Sequence, residues 1–349
     1  MVRRDRREAR RHPSRWTGPP PLLLLATVLG FLVAPLVDHD APDEPAPQAA
    51  IVSVAATPRS IEPRIVRPQV VPSSQGGQLT AGLKPLRLAP LDVGVASMNM
   101  FRQLSSAHAL HDARRLTSRP GVDVVGWQEA EDFGAVLHRL PGFATKTFPY
   151  SGGSSELAIS WRSSRFRLVA ADQKRVAYGV SSYEGRYPFG NRLVAQVTLQ
   201  DRQSGRQLTV INVHLPQKIE DFDHHPGHWT DTKNAFRARI QLQRLAAIWA
   251  QAQGRWVIGT GDFNFDARAD AAYLPAGGPT RALRRTAVSS YEELGLDVAT
   301  TFPENGRNID YVWADKGAYR SGRIQFDGQW VLSGYNSDHR PLLTRLVLR

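Results

Sequence analysis

From about residue 86 onward, the chain alternates between short apolar runs and longer amphipathic runs. Every second residue of 193–199 is apolar, which is the pattern of a strand with one buried face. In 232–253, apolar residues recur at gaps of four, three and four, which predicts a helix. The other predicted elements are a helix at 103–118 and strands at 91–95, 122–127, 157–161, 208–213, 256–260, 309–314 and 342–348. Many strands with few helices indicate one α/β or α+β domain over residues 86–349.

Residues 1–37 have the pattern of a targeting segment. Seven arginines lie within residues 1–16, and the run 22–37 carries no charge. With the prolines before it, this run reaches the lower limit of the ~17–25 residues needed to span a bilayer. Basic residues before the run and acidic residues after it predict that the N-terminus lies inside and the rest outside. We expect a single-pass signal anchor in the cell membrane; the alternative is a signal peptide whose cleavage secretes the protein.

Residues 38–85 have the composition of a linker. Eight prolines interrupt any helix or central strand, and segment 73–77 adds serines and glycines that favour flexibility. The chain is therefore predicted to consist of a membrane segment (1–37), a linker (38–85) and one folded domain (86–349). No obligate protein partner is expected.

The charge of the chain bears on its partners. The formal net charge is +12, of which +8 falls on residues 85–349. A mildly basic domain suits anionic partners such as nucleic acid or acidic lipid headgroups, and does not choose between them. The chain has no cysteine, which excludes a disulfide framework, a thiolate zinc site and cysteine catalysis.

Six predicted strands are each followed by, or close with, an acid, an amide or an imidazole. Any one of these side chains could simply close its strand by bonding to backbone amides. Recurrence at six places is harder to explain as turns, and ligands of α/β folds gather at one end of the sheets. We therefore expect these side chains to converge on one site. They are Asn99, Glu129, His214, Asp262 with Asn264, Asp310, and Asp338 with His339.

In their order and spacing, these segments resemble the endonuclease/exonuclease/phosphatase superfamily, which includes deoxyribonucleases, neutral sphingomyelinases and inositol polyphosphate 5-phosphatases. The matching segments are 97–99, 128–129, 156–159, 212–215, 261–264, 309–311 and 337–341. The resemblance implies a four-layer sandwich of two packed mixed β-sheets flanked by helices, and phosphoester cleavage that depends on Mg²⁺ or Mn²⁺. The segment Val213-His214-Leu215-Pro216 departs from abasic-site endonucleases, which favours the deoxyribonuclease or sphingomyelinase branch.

The resemblance also implies roles for the carboxylates and amides. Glu129 and Asp338 offer the hard oxygen ligands that suit Mg²⁺. Asp262 would orient or deprotonate the attacking water, or hold a second metal. Asn99 and Asn264 would donate amide protons to the phosphate of the substrate without adding charge.

Two imidazole–carboxylate couples are implied in the same way. His214 would pair with Glu156, and His339 with Asp310, so that each carboxylate fixes the tautomer and raises the pKa of its imidazole. Which couple serves as the acid and which as the base stays open. Arg192 resembles a phosphate-contacting arginine of the nuclease branch; the alternative is a solvated arginine at a strand end.

The predicted function is an extracytoplasmic Mg²⁺-dependent phosphodiester hydrolase acting on nucleic acid. Three alternatives remain: a sphingomyelinase- or phospholipase C-like lipid phosphodiesterase, a sugar or inositol phosphate phosphatase, and a non-catalytic binding domain on the same fold. Retention of the charged motif residues argues against the binding domain. A second cluster, with His224, His225 and His228, is predicted to be a solvated loop at the rim of the site, with a second metal site as the alternative.

Overall fold

The computed structural model describes residues 89–150 and 155–349. The predicted membrane segment and the whole of the predicted linker lie outside these residues. Within them, no helix has the length and apolar character that crossing a membrane requires. The elements are, in chain order, β1 (Leu91–Asn99), α1 (Ser106–Thr117), β2 (Val124–Gln128), α2 (Gly134–Leu137), β3 (Phe143–Thr147), β4 (Ala158–Arg162), β5 (Phe166–Ala177), β6 (Arg192–Asp201), β7 (Gln207–His214), α3 (Lys233–Gln251), β8 (Trp256–Asp262), α4 (Ala267–Tyr273), α5 (Pro279–Leu283), β9 (Ala287–Ser289), α6 (Ser290–Leu294), β10 (Asp310–Asp315), α7 (Lys316–Arg320), β11 (Ile324–Val331) and β12 (Leu342–Leu348).

The strands form two six-stranded sheets. The first has the order β11-β12-β1-β2-β4-β3 and the second β5-β6-β7-β8-β10-β9. One pair in each sheet is parallel, β1 with β2 and β7 with β8, and the other pairs are antiparallel. The prediction of two packed mixed sheets flanked by helices is confirmed.

Helices cover the outer faces of both sheets. Alternate residues of the first sheet pack against the apolar faces of α1 and α2, and the others face the second sheet. On the second sheet, α3 lies so close that a Cβ at Gly259 would come within 2.5 Å of the Trp249 indole. The two main helices begin where their capping residues place them, because Ser105 and Thr232 each accept a hydrogen bond from the first turn.

A buried polar seam joins the two sheets just behind the ends of their central strands. The Asn212 side chain donates to the Trp127 carbonyl at 2.7 Å and accepts from Gln128 Nε2 at 2.7 Å and Thr260 Oγ1 at 3.0 Å. A Cβ at Gly126 would lie 1.9 Å from Thr260 Oγ1, so the sheets approach this closely only over glycine. The seam fixes the register of the strands whose ends carry the motif residues.

Candidate active site

The motif residues come together because of how their strands pair. In the parallel pair β7–β8, His214 lies opposite Asp262, the last residue of each strand. Asp310 begins β10 instead of ending a strand, yet the antiparallel pairing of β10 with β8 places it opposite Asp262. Asn99, the last residue of β1, projects from the first sheet toward the same carboxylate. One edge of the sandwich therefore gathers these four side chains.

Asp262 is the centre of the constellation. Its Oδ2 atom accepts from Asn99 Nδ2 at 3.0 Å and from Asn264 Nδ2 at 3.3 Å. The Nε2 atoms of His214 and His339 lie 3.4 Å and 3.8 Å from the same oxygen. Burial alone would raise the pKa of Asp262, but the neighbouring His339 and His214 imidazoles hold it at about 2. Asp262 is therefore ionised at neutral pH.

Both amides that were expected to face the phosphate are engaged with Asp262. Asn99 also accepts from the Phe101 N–H at 2.9 Å, which fixes the orientation of its side chain. Asn264 donates to the Leu215 carbonyl at 3.0 Å as well as to Asp262. Because an amide nitrogen carries two N–H groups, Asn99 retains one for a substrate while it positions the central carboxylate.

The two imidazole–carboxylate couples are present in the structure. His214 Nδ1 lies 3.0 Å from Glu156 Oε2, and His339 Nδ1 lies 2.9 Å from Asp310 Oδ2. Burial would lower the pKa of each histidine, but the partner carboxylates raise it to about 9 for His214 and about 10 for His339. In each ring, Nδ1 faces the carboxylate while Nε2 faces Asp262.

Arg192 is placed differently from the expectation of a free phosphate contact. Its guanidinium forms an ion pair with Glu156 and is almost fully buried, with a side-chain exposure of 4 %. Despite burial, Arg192 and His214 together hold the pKa of Glu156 well below its usual range. Arg192 thus neutralises the carboxylate that orients His214, and its charge is already compensated within the protein.

Arg102 is a member of the site that no sequence motif indicated. Its backbone N–H and its Nε donate to the same oxygen of Glu129, Oε2, at 3.0 and 3.1 Å. Its two terminal nitrogens lie 3.1 Å from Glu131 and 3.7 Å from Glu156. Burial tends to raise the pKa of Glu129, but His214 and Arg102 lower it overall. The other oxygen, Oε1, faces His214 Nε2 at 4.0 Å.

Among the described residues, no arginine or lysine forms an ion pair with Asp338. Burial, with Glu129 and Asp262 nearby, raises the pKa of its carboxyl despite the neighbouring His339. A divalent cation would relieve this crowding of like charges. Within the described residues, no three His, Asp or Glu side chains form a ready-made metal cage. As oxygen donors, Glu129 and Asp338 suit Mg²⁺, which binds through one or two carboxylates and keeps its waters.

A cleft of about 610 Å³ is lined by most of the motif residues, namely Asn99, Glu129, His214, Asp262, Asn264, Asp338 and His339. Five non-glycine residues of the described chain have left-handed backbones with φ between 43° and 56°. Four of them line the cleft, namely Phe101, Glu129, Lys218 and Asn264, and the fifth, Leu274, ends α4. Such conformations cost on the order of 1–3 kcal/mol each and persist where the surroundings enforce them. Backbone strain is therefore concentrated at the site.

Asp112 of α1 binds the segment that precedes His339 through hydrogen bonds. Asp112 is fully buried and accepts from the backbone N–H groups of Asn336 at 2.7 Å and Ser337 at 3.0 Å. Ser337 Oγ donates to the Asn99 carbonyl at 2.8 Å and accepts from the His339 N–H at 3.1 Å. The sequence analysis missed Asp112, for which the available signal is an acidic residue beside the apolar positions Ala109, Ala113 and Leu116 of α1.

The second histidine cluster lies at the rim. The Nδ1 atoms of His224 and His225 both lie 2.9 Å from the Asp221 carboxylate, and both rings are exposed. His228 is likewise exposed, and Asp223 of the same loop lines the cleft. The structure thus places these histidines in a solvated rim loop, apart from His214 and His339.

The sequence and the fold both match known proteins. The sequence profile described as the Endonuclease/Exonuclease/phosphatase family matches residues 96–339. No curated protein sequence matches the chain.

Among solved structures, an endonuclease/exonuclease/phosphatase from Bacteroides vulgatus is 14% identical, with a TM-score of 0.56, over 74% of this chain and all of its own length. A mannosyl-6-phosphatase from Bacteroides thetaiotaomicron is 18% identical, with a TM-score of 0.51, over 73% of this chain and 100% of its own. A humanized D. rerio TDP2 is also 18% identical, with a TM-score of 0.51, over 73% and 98% of the two chains. At these identities the structural likeness concerns the fold.

Proposed function

The chain belongs to the endonuclease/exonuclease/phosphatase family, whose members are hydrolases of phosphoester bonds, and we propose that it is a Mg²⁺-dependent phosphodiesterase that acts on nucleic acid. The observation that carries this proposal is the convergence of two amides and two imidazoles on one ionised carboxylate, Asp262. A phosphodiester cleavage needs an acceptor for the proton of water and a donor for the leaving oxygen. The site supplies both within one hydrogen-bonded group.

The proton transfers follow from the orientation of the side chains. As the attacking water forms a new P–O bond, Asp262 accepts its hydrogen bond and takes up its proton. An imidazolium Nε2, of His214 or His339, donates a proton to the leaving oxygen as the ester P–O bond breaks. Glu156 and Asp310 hold each ring at Nδ1, so that only Nε2 is free for this transfer.

We assign the metal to the carboxylates of Glu129 and Asp338. Arg102 occupies Oε2 of Glu129 and leaves Oε1 available, and Asp338 lies near the like charges of Glu129 and Asp262, which His339 offsets only in part. When bound there, Mg²⁺ or Mn²⁺ would supply positive charge against the phosphate oxygens. The positioning of the substrate and the movement of its protons remain with the side chains described above.

Nucleic acid is favoured as the substrate because of charge. Residues 85–349 carry a formal +8, and the cleft wall includes Lys218, which forms no ion pair with a carboxylate among the described residues. A polyanionic strand gains from both, since its backbone places a negative charge at every nucleotide. A zwitterionic lipid headgroup gains from neither.

A panel of substrates tests this proposal with the purified full chain. Turnover of bis-p-nitrophenyl phosphate, plasmid DNA, RNA, sphingomyelin and inositol phosphates is measured with Mg²⁺ and with EDTA. We expect metal-dependent cleavage of the generic diester and of nucleic acid, abolished in Asp262→Asn and retained in Asp297→Asn, whose exposed carboxylate lies outside the cleft. Hydrolysis of sphingomyelin without cleavage of nucleic acid would show that the substrate is a lipid and not nucleic acid. Equal activity of wild type and Asp262→Asn would refute the assignment of the active site.

We further propose that residues 22–37 hold the protein in the cell membrane with residues 38–349 outside. Support comes from the arginines before this uncharged run and the acidic residues after it. Protease added to intact cells should remove the catalytic domain from the membrane fraction. Recovery of the full-length chain in the cytosol would contradict this location.

A further inference from the structure

The turn that follows β7 is rigid and strained. Lys218 has a left-handed backbone with φ of 56°, which a side-chain-bearing residue adopts only at a cost. Asn234 Nδ2 donates to the Gln217 carbonyl at 2.9 Å, and Thr230 Oγ1 donates to the Lys218 carbonyl at 3.0 Å. Ile219, the next residue, is fully buried, and its carbonyl accepts from the Thr230 N–H at 2.9 Å. The backbone around Lys218 is thus fixed while its side chain lines the cleft.

Four basic side chains line the cleft, and three of them are already compensated by carboxylates. Arg102 contacts Glu129, Glu131 and Glu156, and Arg192 is paired with Glu156. Arg307 lies 3.5 Å from Glu220 and donates through Nε to Asn305 at 3.0 Å.

Lys218 differs from the other three. Among the described residues, no carboxylate oxygen lies within ion-pair distance of its ammonium group. Among the described residues that line the cleft, Lys218 is therefore the one lysine or arginine whose charge is left for an external anion. The strained turn keeps that charge in the wall of the cleft that Asp262 also lines, four residues beyond His214 in the chain.

We propose that Lys218 forms an anion subsite that binds a phosphate flanking the scissile one, so that the substrate is a strand of linked phosphodiesters. This inference rests on the proposed function and narrows it to one substrate class. A strand presents a second phosphate to Lys218 while the first lies at Asp262. A sugar monophosphate has no second phosphate, and the cationic choline of a phosphocholine lipid would be repelled. Lys218 thus takes over the phosphate contact expected of Arg192.

The charge of Lys218 can be removed without touching the central constellation. Lys218→Ala is compared with wild type on two substrates: a short single-stranded oligonucleotide, as DNA and as RNA, and bis-p-nitrophenyl phosphate, which lacks a flanking phosphate. We expect the ratio of kcat/KM for the oligonucleotide to kcat/KM for the small diester to fall roughly 3- to 10-fold, mainly through KM. Lys218→Arg should restore most of the ratio.

The matched control is Lys316→Ala. Lys316 follows β10 at the end opposite Asp310 and lies outside the cleft, so its loss should leave the ratio at the wild-type value. A binding measurement gives a second readout. In EDTA, fluorescence anisotropy of a labelled oligonucleotide should show weaker binding to Lys218→Ala and a slope of log affinity against log salt reduced by about one.

The outcomes separate this inference from the proposed function. If wild type cleaves the small diester but Lys218→Ala changes neither the ratio nor the salt slope, the subsite is refuted and the proposed function stands. If wild type cleaves no phosphoester, the proposed function fails, and the binding measurement still decides whether Lys218 contacts a phosphate strand. Cleavage of the small diester without binding of any oligonucleotide also refutes the subsite.

Discussion

Asp112 of α1 accepts a hydrogen bond from the backbone N–H of Ser337 at 3.0 Å, which ties the first helix to the segment carrying Asp338 and His339. The same carboxylate accepts from the Asn336 N–H and side-chain amide, both at 2.7 Å. Because this carboxylate is fully buried, these bonds are shielded from competition by water. The last motif of the chain therefore depends for its position on a helix more than 200 residues earlier.

Asp112→Ala should impair catalysis although Asp112 does not touch the cleft. Leaving the buried N–H of Ser337 without an acceptor costs about 1–3 kcal/mol, so the 336–339 segment should shift or loosen. We expect kcat to fall roughly 10- to 100-fold, because small displacements of reacting groups are costly. Turnover of bis-p-nitrophenyl phosphate and the thermal midpoint report the two effects. Full kcat in a destabilised variant would assign Asp112 to stability alone.

Glu129→Gln should weaken the response to Mg²⁺ with little loss of fold. Its neutral amide is a poorer ligand for a hard cation than the carboxylate. Glu131→Gln is a matched control, because Glu131 contacts the same Arg102 guanidinium but is not assigned to the metal. When turnover is titrated with Mg²⁺, the half-saturating concentration for Glu129→Gln should be about tenfold higher than for wild type, which corresponds to a tenfold lower affinity for Mg²⁺. Equal Mg²⁺ curves for the two variants would show that the metal assignment is wrong.

The strand-end residues could be predicted because each adjoins a buried apolar strand, and pairing rules bring such ends to one edge. Asp310 lies at the start of its strand. It reaches the same edge because antiparallel pairing places the first residue of β10 beside the last residue of β8. Arg102 and Asp112 were missed because their partners are other side chains and loops, 27 and 225 positions away in the chain. The environment of Arg192 could not be predicted for the same reason, because nothing in the sequence indicates that the Glu156 carboxylate compensates its charge.

His214→Ala and His339→Ala should each reduce turnover by roughly 10²–10⁴-fold, the usual effect of losing a positioned acid or base. His224→Ala, His225→Ala and His228→Ala are the controls, because these rings are exposed in the rim loop. We expect each control to retain roughly the wild-type turnover of bis-p-nitrophenyl phosphate, because an exposed ring in the rim loop supplies no reacting group. Comparable losses across all five variants would mean that the rim loop takes part in the reaction.

The Glu156–His214 couple should make stability depend on pH. Folding raises the pKa of His214 from an ordinary value near 6.5 to about 9, because the Glu156 carboxylate overcomes the effect of burial. A raised pKa means that the folded state holds this proton more tightly than the unfolded chain. The stabilisation is therefore complete below pH 6.5 and is lost as the pH rises from 6.5 through about 9. For Glu156, whose pKa is lowered, the stabilisation is instead lost as the pH falls below its ordinary range near 4.5.

Glu156→Gln should flatten the alkaline side of this profile. Each pKa unit corresponds to about 1.4 kcal/mol, so the His214 shift is worth up to about 3 kcal/mol between pH 6 and pH 9. The free energy of unfolding, measured with urea at these two values, gives the slope independently of any overall loss from leaving Arg192 unpaired. His214→Ala should flatten the profile to the same degree, and the double variant should add nothing further, because both changes remove one interaction. His339, with its pKa of about 10, keeps a residual slope in all variants. If the slope of Glu156→Gln matched that of wild type, His214 would not owe its proton to Glu156.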